Sequence, residues 1–196
     1  MASRIIGVLG KKRHGKDTFA ARLCNEHGFT RFAFADMLRE AALKLDPLVM
    51  VEADEYHHFS GWAFREPLLF RLSYVVRDLG WEKAKELREV RRTLQHMGVG
   101  VRDLDEDFWV RAVMRQVEAH DGPVVITDVR FPNEAYAVVN HWRGRTLRVV
   151  NPRIETPDVE HISEIALDDY TPDHTVFNDG TIEDLHRQAD RFAALS

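Results

Sequence analysis

Hydrophobic and polar positions along the chain repeat with two different periods, and the changes of period mark the elements. Arg4-Ile5-Ile6-Gly7-Val8-Leu9 is a short apolar run meeting Gly10, the pattern of a buried strand entering a turn. From Asp17 the period lengthens: Phe19, Ala20, Leu23 and Cys24 repeat at helical spacing, and Gly28 suits the helix end. Phe32 and Phe34 alternate with small residues as a second strand does. Asp36 then opens a helix with Met37, Leu38, Ala41, Ala42 and Leu45 on one face, stopped by Pro47.

The middle of the chain reads as helical. Leu68, Leu69, Leu72, Val75, Val76 and Leu79 form one stripe ending at Gly80. Trp81, Ala84, Leu87, Val90, Leu94 and Met97 form another ending at Gly98, and Phe108, Trp109, Ala112, Val113 and Val117 a third, with Asp105 as its cap. Pro123-Val124-Val125-Ile126-Thr127-Asp128 is a continuous apolar run closed by an acid, as in a buried parallel strand. Pro132 starts the next helix, with Ala135, Val138, Val139 and Trp142 inward. Thr146 to Val150 and His174 to Phe177 read as strands, and Thr181-x-x-Asp184 as a capping box for the last helix. Between those strands, Pro152 to Tyr170 is polar and irregular.

Strands separated by helices predict an α/β fold with a parallel sheet covered on both faces. There is no internal repeat, low-complexity tract or clear linker. Residues 1–196 therefore read as one domain, with the helical block at about 36–120 inserted between strands.

Composition narrows the class. The 44% hydrophobic content of these 196 residues is enough for one core, so disorder is excluded as an overall description. A net charge of −5 argues against a nucleic-acid coat or a polybasic membrane binder. One cysteine, Cys24, excludes an intramolecular disulfide and a multi-cysteine zinc site. No run approaches the length of a membrane span, and the first residues are too short and too soon charged for a signal peptide. The expectation is a cytoplasmic protein.

The strongest local chemistry is Gly10-Lys11-Lys12-Arg13-His14-Gly15-Lys16-Asp17-Thr18. A strand, then G-x-x-x-x-G-K, then a helix is the context of a Walker A phosphate loop. The two glycines let successive backbone N–H groups converge on a phosphate. Lys16 adds a mobile cation for the β and γ oxygens, and the helix N-terminus behind it favours anions. Gly10, Lys12, His14, Gly15, Lys16, Asp17 and Thr18 are thus candidate donor contacts. Asp17 stands where a serine or threonine normally serves magnesium, so either Asp17 or Thr18 approaches the metal. Asp128, ending its strand, fits the matching Walker B acid; its alternative is a helix cap.

The sequence resembles the bacteriophage-type deoxynucleoside monophosphate kinases of the nucleoside monophosphate kinase superfamily. The resembling pieces run nearly the whole length. They begin with Gly10 to Thr18 and Phe34-Ala35-Asp36-Met37-Leu38-Arg39. Arg92-Thr93-Leu94-Gln95-His96-Met97-Gly98 follows, with Arg102 and Asp107-Phe108-Trp109. Asp128-Val129-Arg130-Phe131-Pro132-Asn133-Glu134 is the most specific, and His161-Ile162-Ser163-Glu164 and Asn178-Asp179-Gly180-Thr181 complete the set. The family often has Gly-Thr-Glu where this chain has Gly98-Val99-Gly100, so a polar contact supplied there in relatives is missing.

The resemblance implies a three-layer α/β/α P-loop kinase with a five-stranded parallel sheet, a helical acceptor-binding insertion and a lid at about 152–170. It implies ATP and Mg2+, a nucleoside monophosphate acceptor, and no nucleic-acid polymer or membrane as partner; a homodimer is left open. By the same mapping Arg102 and Arg130 grip the acceptor phosphate, Asp36 and Arg39 lie in the acceptor-binding helix, and Arg153 is carried by the lid. Asn178, Asp179 and Gly180 match the loop that holds the donor adenine. Lys16, Asp128, Arg130 and Arg153 are then the catalytic set. No general base is needed, because the acceptor phosphate is already an anionic nucleophile.

Other residues keep two readings. Gln95 offers both a donor and an acceptor to a base edge, or is a surface or cap residue. Trp109 stacks on a base or packs in the core. His57-His58 reads as a surface loop, His161 with Glu164 as a lid contact or a structural pair, and Cys24 as inert core. Two further functions compete: a small-molecule phosphate kinase, since animal-type phosphomevalonate kinases share the Gly-Lys-Asp loop, and a P-loop ATPase or switch module.

Overall fold

The computed structural model describes residues 4–54, 66–154, 162 and 165–195. Its contacts divide the chain into two compact units, one formed by Met1–Phe34 with Val110–Ser196 and the other by Ala35–Trp109. The sequence pattern puts the insertion at about 36–120; the second unit is shorter at its C-terminal end.

The first unit is built on a five-stranded sheet. Its strands are β1 (Ile5–Leu9), β2 (Thr30–Phe32), β5 (Val124–Ile126), β6 (Arg145–Val150) and β7 (His174–Phe177), in the order β2-β5-β1-β6-β7. Every pairing is parallel, with Ile6 opposite Val125 on one side of β1 and opposite Arg145 on the other. The strand after β5 crosses to the far side of β1, so the sheet has a switch point at the C-terminal end of β1, where open α/β sheets bind ligands. One face packs Ile6, Val8, Val125, Leu147 and Val149 against α1 (Lys16–His27) and α7 (Ile182–Leu195) through Phe19, Leu23, Leu185 and Phe192. The capping box forms as predicted: Thr181 Oγ1 accepts the Asp184 N–H at 3.2 Å, and Asp184 Oδ2 accepts the Thr181 N–H at 2.9 Å. Cys24 packs against this core, where burial pushes its thiol pKa up and keeps it protonated and inert.

A salt link ties α1 to α7. Arg22 donates from Nε to Asp190 Oδ1 at 2.8 Å and from Nη2 to Oδ2 at 3.0 Å, and His27 Nε2 lies 2.8 Å from Oδ1. These bonds, Arg22's first, hold the Asp190 carboxyl well below the usual carboxylate range. A depressed folded pKa stabilises above the unfolded value of about 3.9 and is lost as pH falls through the folded one. Asp190→Asn is therefore expected to lower Tm at neutral pH. The gap should close as the wild-type carboxyl protonates in strong acid, and narrow in high salt because the pair is solvated. Equal melting temperatures at neutral pH would show that the link contributes nothing.

The second unit carries α2 (Phe34–Leu45), β3 (Leu48–Val51), β4 (Leu68–Arg71), α3 (Leu72–Ala84) and α4 (Arg88–Leu104), and α5 (Phe108–Glu118) leads out of it. Its core gathers Ala42, Val49, Val51, Leu72, Val75, Leu87 and Val90. Three expectations change here. Phe34 is the first residue of α2, not a strand residue, because its N–H is taken by Asp128 Oδ1 at 2.8 Å. Leu68 and Leu69 belong to β4, which pairs antiparallel with β3; the run Leu68-Leu69-Phe70 satisfies either period until a partner strand is present. Gly80 adopts φ 72° and ψ 159°, outside the helical region, so the first helical stretch of α3 ends there as expected and a second begins across the kink. Gly98 lies inside α4, where an added Cβ would come within 3.3 Å of Leu38. It is a close-packing glycine, not a stop.

Among the described residues no helix is long and apolar enough to cross a membrane.

Candidate active site

The candidate phosphate loop, Gly10–Thr18, rises from β1 at the sheet's switch point. Its two glycines have positive φ, 133° at Gly10 and 100° at Gly15, and each is required by a neighbour as well. A Cβ on Gly10 would stand 2.4 Å from the Val149 carbonyl oxygen, and one on Gly15 2.5 Å from Asn178 Nδ2. Lys16 begins α1 and folds back, donating from Nζ to the Lys11 carbonyl at 2.7 Å. That bond holds the ammonium against the loop. Asp17 is exposed in the first turn of α1, Thr18 half-buried beside it, and Lys12 exposed.

His14 is the buried member of the loop, 7% exposed. Its Nδ1 accepts the Asn151 N–H at 3.2 Å, which leaves the proton of the neutral ring on Nε2. Nε2 itself is buried with no hydrogen-bond partner among the described residues. Burial first, then Lys16 and Lys11, lowers the His14 pKa and keeps the ring neutral. The His14 carbonyl accepts from Asn178 Nδ2 at 3.1 Å, and Asn178 is anchored in turn by its N–H to the Val150 carbonyl at 2.7 Å. Asp179 and Gly180 follow it in an exposed turn, with the Asp184 carboxylate folded against Gly180.

Asp128 stands just past β5, the neighbour of β1. One of its oxygens takes the Phe34 N–H, so the helix-cap reading is realised at this position. The following segment is shaped by Glu134. This carboxylate is 2% exposed, and Oε2 accepts the N–H groups of Arg130 at 2.8 Å and Phe131 at 3.1 Å. Pro132 has no N–H to offer at the start of α6 (Pro132–Tyr136), and α6 continues through a wider turn over Ala137–His141. Glu134 thus fixes the backbone that carries Arg130. The sequence motif contained Glu134, but only the fold shows its task.

Arg130 and the loop meet in one cleft of about 230 Å³, lined among others by Gly10, Lys11, His14, Arg130, Arg148 and Asp168. Lys11 pairs with Asp168 at 3.1 Å across its rim. Arg148 was missed in the sequence reading. Its Nη2 donates to the carbonyls of Leu167 at 2.5 Å and Tyr170 at 2.8 Å, so it bolts the turn after residue 165 to β6. The available signal was a charged residue between the buried Leu147 and Val149. Arg153 is exposed just beyond β6, its N–H on Asn151 Oδ1 at 3.0 Å. Residues 155–161, 163 and 164, most of the expected lid with the His161–Glu164 pair, lie outside the described residues, as do His57 and His58.

The remaining candidates belong to the second unit. Arg39 lies 3.6 Å from Asp36 and 3.7 Å from Glu82, with its guanidinium over the Trp81 ring at 5.5 Å. Trp81 had been read only as part of a stripe. Gln95 and Arg102 are both half-buried on α4, seven residues apart and hence on one face; Arg102 also reaches the Glu106 carbonyl at 3.4 Å. Trp109 resolves to packing: it is 4% exposed, meets Phe108 edge to face, and donates from Nε1 to the Gly98 carbonyl at 3.2 Å. A base-stacking role for Trp109 is not supported by that burial.

Known proteins agree with this architecture. Residues 71–189 match the family described as Deoxynucleotide monophosphate kinase. A putative deoxynucleotide monophosphate kinase of Acanthamoeba polyphaga mimivirus is 29% identical over 192 residues, covering 94% of this chain and 93% of that protein. Uncharacterized protein ORF77 of Ictalurid herpesvirus 1 is 40% identical over 95 residues, 45% of this chain; the match spans 41% of that protein. Among solved structures, TT1252 from Thermus thermophilus aligns with TM-score 0.52 at 16% identity, covering all of this chain and 98% of that one. Dephospho-CoA kinase from Campylobacter jejuni aligns with TM-score 0.50 at 14% identity over the same shares. At such identities the two structures speak for the fold alone, an α/β fold shared over the whole chain. The family match covers more than half of the sequence and includes the Arg130–Glu134 segment and the Asn178 loop, and on that ground the chain belongs to the deoxynucleotide monophosphate kinase family, ATP-using phosphotransferases that act on nucleotides.

Proposed function

We propose that this chain transfers the γ-phosphoryl group of ATP to the 5′-phosphate of a deoxynucleoside monophosphate, giving the diphosphate and ADP. The observation that carries the reading is the cleft shared by the phosphate loop and Arg130. Two phosphate-bearing substrates repel one another, and a cleft with Lys11, Arg130 and Arg148 on its walls lowers that repulsion. An oxygen of the acceptor phosphate forms the new bond to the γ-phosphorus as the bond to the β-bridging oxygen breaks. ADP leaves with that electron pair, and no proton transfer is required of the protein.

Lys16 and the loop N–H groups bind the donor phosphates, with Gly10, Lys12, His14 and Gly15 shaping the cradle. The Asn178–Gly180 turn is assigned to the donor base. Arg130 grips the acceptor phosphate, where a planar fork suits two oxygens. Asp36, Arg39, Gln95 and Arg102 are assigned to the acceptor, and Arg153 to closure over the phosphates. Magnesium, when bound, neutralises charge on the β and γ oxygens. Asp128, one strand over from β1, and Asp17 or Thr18 at the start of α1 would hold it; they are the hard oxygen donors this ion prefers. The reaction is assigned to the cytoplasm, where both nucleotides are found.

The test is ADP release from ATP and magnesium with each common dNMP, each matching rNMP and mevalonate 5-phosphate offered separately. Stimulation by one or more dNMPs, with the diphosphate identified, supports the reading and gives the base preference. Stimulation only by mevalonate 5-phosphate would move the chain to small-molecule phosphate kinases. Release indifferent to every acceptor would make it an ATPase or switch.

A further inference from the structure

The phosphate loop is held at His14 from both sides. The ring is tied to the end of β6 through Asn151, and the carbonyl is tied to the start of the β7–α7 turn through Asn178. Asn178 spends its own N–H on Val150, and its amide lies where a Gly15 side chain would stand. The amide therefore fills the space left by Gly15, inside the loop, while its residue belongs to the turn assigned to the donor base.

We propose that Asn178 is a positioning residue for the donor's phosphates, acting through His14 to preset the loop, rather than a contact that reads the donor's base. Four observations support it. The Asn178 amide donates to a loop carbonyl at 3.1 Å. Its partner residue is more than nine-tenths buried. The second tie on His14 uses Nδ1 as the acceptor of the Asn151 N–H, so the ring as well as the carbonyl is fixed from outside the loop. Finally, Gly10 and Gly15 abut the ends of the same two elements, so the loop conformation is imposed by β6 and the turn after β7, not by the loop's own residues. Preset N–H groups bind phosphate without a reordering cost, so losing either tie weakens anything that carries a triphosphate.

The inference rests on Gly10–Thr18 being the donor phosphate loop. Its test is calorimetric binding of two probes to the full chain, ATP with magnesium and inorganic tripolyphosphate with magnesium, which lacks a base. Asn178→Ala is expected to weaken both by a similar factor, about tenfold for one hydrogen bond to a buried acceptor. A loss confined to ATP would overturn the proposal and return Asn178 to base recognition, and no loss with either probe would overturn it too. If Asn178→Ala does not fold, Asn178→Ser, which shortens the side chain and withdraws the Nδ2 donor, decides by the same two probes and the same outcomes, and the His14 pair tests the other tie. His14→Ala should weaken both probes, and His14→Asn, whose Oδ1 can accept the Asn151 N–H in place of Nδ1, should recover much of the binding to both. Unchanged binding in His14→Ala, or no recovery in His14→Asn, would count against the bracket. Failure of the wild-type chain to bind tripolyphosphate at all would overturn the phosphate-loop reading and this inference with it. A base-only effect overturns the inference alone.

Discussion

Lys16→Ala is expected to reduce phosphoryl-transfer turnover by about three orders of magnitude while the chain stays folded. The transferring group gains little covalent help from a kinase, so catalysis is positioning plus charge, and a single well-placed cation is worth about 10²–10⁵ in rate. Lys16 heads α1, and its Nζ lies 2.7 Å from the Lys11 carbonyl, so the charge is delivered with little searching. The stability cost is small by comparison. One partly buried hydrogen bond is lost, about 0.5–1.5 kcal/mol, and the core under α1 is carried by Phe19, Ala20 and Leu23. Circular dichroism and a melting curve should therefore resemble wild type. Turnover within tenfold of wild type in a folded variant would remove Gly10–Thr18 as the donor site.

Arg130→Ala is expected to lower kcat/KM for the acceptor by about 10²–10³, with ATP affinity nearly unchanged. Arg130 lines the cleft beside the loop, and a guanidinium fork offers two donors to one phosphate. Arg130→Lys keeps the charge but loses the fork, so only partial recovery is expected. Glu134 gives an independent check, because it acts on Arg130 through the backbone. Glu134→Ala leaves the Arg130 and Phe131 N–H groups unpaired beside a buried hole, so both stability and acceptor use should fall. Glu134→Gln keeps an acceptor oxygen and should lie between. Steady-state kinetics with acceptor and donor varied in turn separate these outcomes. An Arg130→Ala enzyme with normal acceptor kinetics would reject the assignment.

How much of this was readable in the chain varies with the distance between partners. The phosphate loop is nine consecutive residues between a strand and a helix, each recognisable from its neighbours, so its position needed no structure. The same holds for the five parallel strands and for the Thr181–Asp184 cap, whose partners are three residues apart. The hairpin of β3 and β4 was not legible. Each strand is four residues long; β3 is apolar throughout, the alternation of β4 is masked by Leu68-Leu69, and the pairing of the two settles the period. Gly98 misled for a related reason. A glycine after an apolar stripe looks like a helix end, but Gly98 serves the approach of Leu38, which no local pattern records.

Sequence alone therefore determined the class of fold, the glycine-and-lysine loop after β1 that is the candidate donor site, and the identity of most charged candidates, because these follow from local periodicity and from residue chemistry at short spacing. Tertiary structure alone decided which of them act on one another. Asn178 reaches the loop across 164 residues, Asp128 receives the Phe34 N–H across 94, and Trp109 turns its indole into α4 rather than toward a base. Those contacts depend on where parallel strands end relative to one another, and strand order is set by packing of whole layers. A hydrogen bond that short cannot be inferred until the layers have placed its two ends.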